Sequence, residues 1–228
     1  MENKGESITK VMIINGGPRK NFNTAKMLKE AQRGAEAAGA EVEYFNLVDL
    51  NFKGCMSCFA CKRKGMDLGG LCALRDELRP VLEKIVNADA VIMGSPVYDF
   101  YPTGMFRNLA ERMLFTGGTY MLDEKGHPML NLKRNIPVGL IFTMNATTEQ
   151  MKQYSMDSVL NANELGFKMV YGYAETLYVC DTYQFNDYSK YNCNMFDEAH
   201  KAEVRDNQFP KDLAKAYDLG KRLVEMNI

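Results

Sequence analysis

The sequence predicts a three-layer α/β fold, a doubly wound five-stranded parallel sheet with helices on both faces. Three observations carry that expectation. Short apolar runs of strand length alternate with segments of helical spacing. The first such run empties into a Gly/Pro loop that feeds a helix. No repeat, low-complexity block or Pro/Ser-rich linker divides the 228 residues, so a single domain over 1–228 is expected. Strands alternating with helices imply right-handed crossovers and a sheet buried on both faces. Five of them fit the order 2-1-3-4-5, with ligands expected beyond the carboxyl strand ends.

Taken in order, Val11–Asn15 reads as a buried first strand. Ala25, Leu28, Ala31, Ala35 and Ala38 then share one helical face, with Gly39 as a stop. Glu41–Leu47 reads as the second strand. After a cysteine-bearing loop at 53–72, Leu74, Leu78, Val81, Leu82 and Ile85 mark a helix. Ala90–Gly94 is the third strand, broken by Ser95–Pro96, and Phe106, Leu109, Ala110, Met113 and Leu114 line the next helix. Thr116–Asn135, with Gly117, Gly118, Gly126 and Pro128, reads as a long excursion, a lid or subunit contact rather than an element. Pro137–Thr143 is the fourth strand, Thr147–Leu165 a helix, and Met169–Val179 the fifth strand. A polar, Tyr-rich stretch follows, and Leu213, Ala216, Tyr217, Gly220, Leu223 and Val224 mark a last helix.

Composition excludes several function classes. With 28 Lys+Arg against 29 Asp+Glu, the net charge of −1 gives no basic field for nucleic acid. No apolar run is long enough to cross a bilayer. The N-terminus, MENKGESITK, lacks the apolar core of an export signal, so a cytoplasmic location is expected. His127 and His200 sit in no catalytic or metal pattern. Asp76, Glu77, Glu83 and Asp89 read as solvated helix faces and a strand entry, and the 16 methionines as core filler.

The chemistry concentrates in loops at the expected ligand edge. In Asn15-Gly16-Gly17-Pro18-Arg19-Lys20-Asn21-Phe22-Asn23-Thr24, the glycines allow close backbone approach and the helix start at Ala25 offers unpaired N–H groups. Arg19 can fork onto phosphate oxygens, Thr24 can donate a hydroxyl and Asn23 an amide. Neither G-x-x-x-x-G-K-[ST] nor G-x-G-x-x-G is present, which favours a monophosphate over a triphosphate or tightly held dinucleotide. The plainer alternative is a strand-to-helix turn with Asn23 or Thr24 as N-cap. In the loop after the third strand, Pro96 frees backbone groups of Val97, Tyr98 and Asp99 to meet a polar ring edge. Tyr98, Phe100 and Tyr101 add aromatic faces there, or else fill core or interface.

Asn-Gly-Gly-Pro-Arg-Lys-Asn-x-Asn-Thr resembles the phosphate loop of the NAD(P)H-dependent FMN reductase family, a flavodoxin-like group whose loops typically read Gly-Ser-Pro-Arg…Asn-Thr. Gly17 stands here in place of the serine. Gly94-Ser95-Pro96-Val97-Tyr98 resembles the segment that wraps the isoalloxazine ring in that family. The likeness spans about residues 8–145. It implies FMN held by Gly17, Arg19, Asn23, Thr24 and Ala25 at the phosphate, and by Pro96, Val97, Tyr98, Asp99, Thr143 and Asn145 at the ring. It also implies NAD(P)H as co-substrate and a homodimer.

Cys55-x2-Cys58-x2-Cys61, followed after ten residues by Cys72, suits an iron–sulfur cluster or a tetrahedral zinc. The alternatives are packed, inert thiols or one redox-active surface thiol. The run resembles the compact motif of the iron–sulfur flavoproteins, which implies a [4Fe–4S] cluster near FMN, although the last spacing is longer than that motif usually allows. Gly65, Gly69 and Gly70 would let the segment loop back. Cys180 and Cys193 lie apart and belong to no motif.

The leading expectation is therefore an FMN-dependent oxidoreductase that takes hydride from NAD(P)H and passes electrons to a small-molecule or protein acceptor. It needs no catalytic side chain, because the flavin carries the redox chemistry. The alternatives are an iron–sulfur flavoprotein or flavodoxin-like electron carrier, and a zinc-stabilised interaction module.

Overall fold

The computed structural model describes residues 8–226; the polar stretch 1–7, part of the N-terminus on which the no-export expectation rests, lies outside them. The main sheet contains β1 (Lys10–Asn15), β2 (Glu41–Asn46) and β3 (Ala90–Tyr98), together with two later strands described below. β4 (Tyr101–Pro102) folds back antiparallel onto β3, and β5 (Gly118–Leu122) pairs with β6 (Pro128–Leu130) as a separate hairpin. β7 (Val138–Thr143) and β8 (Ala174–Val179) complete the parallel path β2-β1-β3-β7-β8, the expected 2-1-3-4-5 order.

Strand alternation sends successive side chains to two cores. On one face Val11, Ile13, Ala90, Ile92 and Ile141 meet α1 (Asn23–Ala37) and the last helix, α7 (Phe209–Glu225). On the other, Met12, Ile14, Val91, Met93, Leu140 and Phe142 meet α2 (Arg79–Asn87), α3 (Gly104–Gly117) and α5 (Met156–Tyr171). α1 and α7 touch backbone to backbone. A Cβ built on Gly34 would stand 1.9 Å from the Tyr217 carbonyl oxygen, and one on Gly220 1.9 Å from that of Ala31. The remaining α-helices among the described residues are α4 (Thr148–Gln153) and α6 (Glu198–Asn207).

Several expected boundaries move, each for a physical reason. The third strand does not stop at Gly94 but runs through Pro96 to Tyr98, with Ser95 opposite Phe142 and Pro96 opposite Thr143. The Gly94 carbonyl accepts from Gly16 N–H at 2.7 Å, so two residues later the Pro96 nitrogen faces the side that β1 has already left. The proline therefore forfeits no ladder bond. The helix expected over Thr147–Leu165 is two, split at Ser155, whose φ is 53°. α5 runs on to Tyr171 and stops at Gly172, φ 87°, which shortens the last strand to Ala174–Val179. Leu74 lies ahead of α2, which begins at Arg79. The 116–135 excursion is largely structured, because Thr116 and Gly117 finish α3 and the β5–β6 hairpin follows. Tyr120, Met121 and Leu122 on that hairpin are exposed.

Candidate functional site

Three chain segments leave the carboxyl ends of β1, β3 and β7 side by side and enclose a cleft of about 500 Å³. Gly17, Arg19, Asn23, Thr24, Pro96, Val97, Tyr98, Thr143 and Asn145 all line it. Two expected residues do not. Ala25 is fully buried in the core beneath, and Asp99 lies exposed in the β3–β4 turn at φ 46°.

One end of the cleft, where the phosphate is expected, is built from the start of α1. Phe22, not Asn23 or Thr24, occupies the N-cap, and no side chain caps the helix. The first ladder bond runs from Lys26 N–H to the Phe22 carbonyl (2.8 Å), leaving the N–H groups of Asn23, Thr24 and Ala25 ahead of it with the positive end of the helix dipole. Thr24 and Thr143 share a buried hydroxyl bond of 2.6 Å that ties α1 to β7. Gly17 donates its N–H to Asn15 Oδ1 at 2.9 Å, and a Cβ on Gly17 would come within 3.1 Å of Pro96 Cδ. The turn is thus close-fitted around a bare backbone.

Arg19 lies over the Phe22 ring, 3.6 Å from its centroid, and donates to the Gln184 carbonyl at 3.0 Å. Burial pushes its guanidinium below the ordinary value, and the nearby Tyr98 and Tyr191 oppose that shift. A partly desolvated cation that cannot lose its proton favours an anion beside it. Asn23 Nδ2 donates to the Tyr183 carbonyl at 2.9 Å. The Tyr-rich stretch therefore closes the Arg19 end of the cleft, a role that sequence reasoning did not assign to Thr182 and Gln184. Its polar, aromatic composition was the one available signal.

At the ring end, Ser95 Oγ accepts from Thr103 N–H (2.9 Å), while Thr103 Oγ1 donates to the Gly16 carbonyl (2.6 Å) and caps α3. β1, β3 and α3 are thereby locked together under the cleft. Asn145 Oδ1 is buried without a hydrogen-bond partner among the described residues, an acceptor standing ready at the cleft wall. Lys201, only 4% exposed, holds the Asn145 loop from behind by donating to the Asn145 carbonyl (2.7 Å) and to Asp181, which also bonds His200. The open helix start, the bare Gly17 turn, the exposed Arg19 guanidinium beside them and the orphaned Asn145 acceptor fit an anionic tail joined to a flat polar ring. FMN has that shape.

A second cavity, of about 840 Å³ and mostly apolar, opens on the α3 face. Cys55, Cys58, Cys61 and Cys72 all line it, beside Phe59, Leu74, Arg112 and Phe115. The ten-residue spacing does return Cys72 to the other three. Among the described residues no three His, Cys, Asp or Glu side chains stand close enough to share one metal ion. Four thiols are nonetheless a donor set known for a tetrahedral zinc and for a cubane cluster alike. Burial pushes the Cys61 thiol up against the pull of Lys62. Asp76, expected on a solvated face, instead bonds the fully buried Arg112 at 2.6 Å. A charge three residues after Leu109 on an apolar helix face was the missed signal. Cys180 is half-buried, and burial raises its pKa.

Sheet order and the cleft at its carboxyl edge make this a flavodoxin-like α/β protein. The family model for NADPH-dependent FMN reductase matches residues 9–164. The chain belongs to that family. It is 37% identical over 117 residues to an iron–sulfur flavoprotein of Archaeoglobus fulgidus, covering 51% of this chain and 55% of that one. A Methanocaldococcus jannaschii protein of the same description is 36% identical over 89 residues, covering 39% of this chain and 44% of that one. The chain thus spans about half the length of the curated relatives it matches. Among solved structures, the NAD(P)H:quinone oxidoreductase of Methanothermobacter marburgensis superposes with a TM-score of 0.68 at 15% identity, over 97% of this chain and 100% of that one. The FMN-dependent NADH-azoreductase of Bacillus anthracis, solved in complex with FMN, gives 0.62 at 14% identity, over 95% and 100%. At such identities the likeness is one of fold.

Proposed function

We propose that this chain is an FMN-dependent oxidoreductase that takes hydride from NAD(P)H and hands electrons to a small-molecule or protein acceptor. The observation that carries the reading is the uncapped start of α1, with Arg19 beside it, opening into the same cleft as Pro96–Tyr98 and Thr143–Asn145. Arg19, the Thr24 hydroxyl and the first N–H groups of α1 bind the phosphate. The β3 end from Pro96 to Tyr98 sets the ring plane, and Asn145 offers its amide oxygen to a ring N–H. Bound flavin supplies hydride acceptance and onward electron release. Tyr98, Phe100 and Tyr101 are about half exposed at the mouth and offer apolar faces to an incoming nicotinamide. The test is anaerobic mixing of FMN-loaded protein with NADH and, separately, NADPH. Bleaching of the yellow chromophore is expected with at least one, and a flavin that stays oxidised with both removes the reductase reading.

A second reading adds to the first. Four thiols on one apolar cavity, together with the iron–sulfur flavoprotein relatives, favour a [4Fe–4S] cluster on Cys55, Cys58, Cys61 and Cys72. The cluster would serve one-electron transfer between flavin and acceptor. Protein purified without air should then contain iron and acid-labile sulfide; the lack of both refutes it. Six free cysteines suit a reducing, cytoplasmic setting, and no helix among the described residues is long and apolar enough to cross a membrane. The exposed Tyr120, Met121 and Leu122 of the hairpin are the surface for a second copy, so light scattering should return a dimer mass that Met121→Asp halves.

A further inference from the structure

We propose that Arg112 is the positioning residue of the cysteine cavity, joining the two ends of the cysteine segment into one four-thiol site and facing its charge toward the group held there. The inference rests on the cluster reading and extends it to a residue outside the motif. Arg112 sits on α3, and its side chain is wholly buried. Nη1 donates to the Lys53 carbonyl (3.2 Å), two residues before Cys55, and to Asp76 Oδ2 (2.6 Å). Nη2 donates to the Leu74 carbonyl (3.2 Å), two residues after Cys72. One guanidinium thus fastens the chain on entry to the segment and on exit from it.

The neighbouring contacts act in the same sense. Glu111 accepts from Cys55 N–H (3.2 Å), and a Cβ on Gly54 would meet the Glu111 carboxylate at 2.6 Å. Arg79 donates to the Cys72 carbonyl at 2.6 Å. Lys62, beside Cys61, bonds the carbonyls of Phe115 and Gly118 at the end of α3. All of these contacts but the Arg79 clamp, which belongs to α2, hold the segment to α3 or its C-terminal end; among these α2 and α3 side chains Arg112 reaches both ends, and its partner Asp76 reinforces the closure by accepting from Lys53 N–H at 3.4 Å.

The guanidinium also has capacity left over. Its Nε is buried with no acceptor among the described residues, while Arg112 lines the cavity beside all four cysteines. A buried N–H left unpaired is costly, and the cost is relieved if the group seated on the thiols accepts from it. A cluster carried by four thiolates is anionic, so the sign of the charge is right. Outer-shell donors of this kind commonly fix ligand orientation and tune the metal.

The test is anaerobic reconstitution of the full chain with ferrous iron and sulfide, comparing wild type with Arg112→Leu, Arg112→Lys and Asp76→Asn. Iron per chain, the rate of iron loss to a chelator, and the cluster midpoint potential are read, with circular dichroism confirming the fold. Arg112→Leu should lose iron about 10- to 100-fold faster than wild type and shift the potential to more negative values, since a cation that favours the reduced form is gone. Arg112→Lys should keep the potential nearer wild type yet still lose iron faster, because an ammonium cannot fork to both carbonyls. A folded Arg112→Leu with unchanged iron retention and potential overturns the proposal while the cluster reading stands. If Arg112→Leu does not fold, unchanged chelator rates in both Arg112→Lys and Asp76→Asn overturn it. Wild type that takes up neither iron nor sulfide fails earlier, at the cluster reading itself, and ends the proposal with it.

Discussion

The cleft at the carboxyl edge of the sheet and the cysteine cavity are built by different means. The cleft is a product of main chain: three strands in register end at one edge, and the turns that leave them must converge. The cysteine segment has almost no ladder of its own. Between the turn after β2 and the start of α2 it contains only a three-residue helical turn at Ala60–Lys62, with left-handed residues at Ser57, Phe59, Gly65, Gly69 and Gly70. Its shape comes from long side chains, chiefly Glu111, Arg112 and Arg79, that reach its backbone from neighbouring helices. A site made by sheet topology survives most side-chain changes. One made by polar clamps depends on each of them.

The comparison is tested most severely by disturbing the frame itself. Gly34→Ala places a methyl group where the Tyr217 carbonyl already lies, at 1.9 Å, so α1 and α7 must part. A loss of about 4 kcal/mol or more is expected, the range that marks a specific structural cause. Urea unfolding measures it, and an unchanged midpoint would mean that the two helices do not meet at Gly34 and Gly220.

Next in size is the clamp under the cysteine segment. Asp76→Ala leaves the Arg112 guanidinium buried without its carboxylate, at a cost of about 3–5 kcal/mol. Burial pushes the Asp76 carboxyl up, but the Arg112 bond and charge, helped by the N–H groups of Lys53 and Leu78, outweigh it and hold the net value below the ordinary one. The stability it contributes is complete above the ordinary carboxyl range and is lost as pH falls through the depressed folded value. The difference in unfolding free energy between wild type and Asp76→Asn should therefore narrow between about pH 7 and about pH 3. A gap that stays constant over that interval contradicts the assignment.

The same contrast explains what could be read in advance. The five strands and both helical faces follow from short-range hydrophobic signals, whereas the strand order and the meeting of nine of the eleven expected site residues in one cleft come from the fold rule, the resemblance and the turn residues next to strand ends. Pro96 misled because a proline normally ends a strand; only the neighbouring β1, already departed, makes it harmless there. The Tyr-rich closure over Arg19 and the Arg112–Asp76 pair were not legible. Each joins residues far apart in the chain, 165 positions for Arg19 and Gln184 and 36 for Arg112 and Asp76, with no periodicity to announce it. The ten-residue Cys61–Cys72 gap looked too long for the same reason: what folds it back lies on another helix.

Within the cleft, Arg19→Ala should weaken FMN binding about 10- to 100-fold, from a charge-assisted bond of about 1.5–3 kcal/mol. Fluorescence titration of flavin-free protein measures it. Arg19 also holds Gln184, so Gln184→Ala, which leaves that backbone carbonyl in place, serves as the control and should bind as wild type does. An unaltered affinity in Arg19→Ala would take the phosphate away from this turn.

The smallest effect runs in the opposite direction. Related loops carry a serine where this chain has Gly17, so Gly17→Ser restores one hydroxyl donor at the phosphate. A Cβ there meets Asn15 Oδ1 and Pro96 Cδ at 3.1 Å, a contact that each can relieve by a shift of a few tenths of an ångström. Gly17 is not among the glycines with positive φ, so the backbone itself does not oppose a side chain. The stability change should stay within about 1 kcal/mol. A hydroxyl donating to the charged phosphate contributes at the low end of about 1.5–3 kcal/mol, less the crowding of the new Cβ, so FMN affinity should rise by about two- to tenfold. A fall in affinity would show that the bare backbone at Gly17 is what the phosphate needs, and that this turn grips its ligand through N–H groups and Arg19 alone.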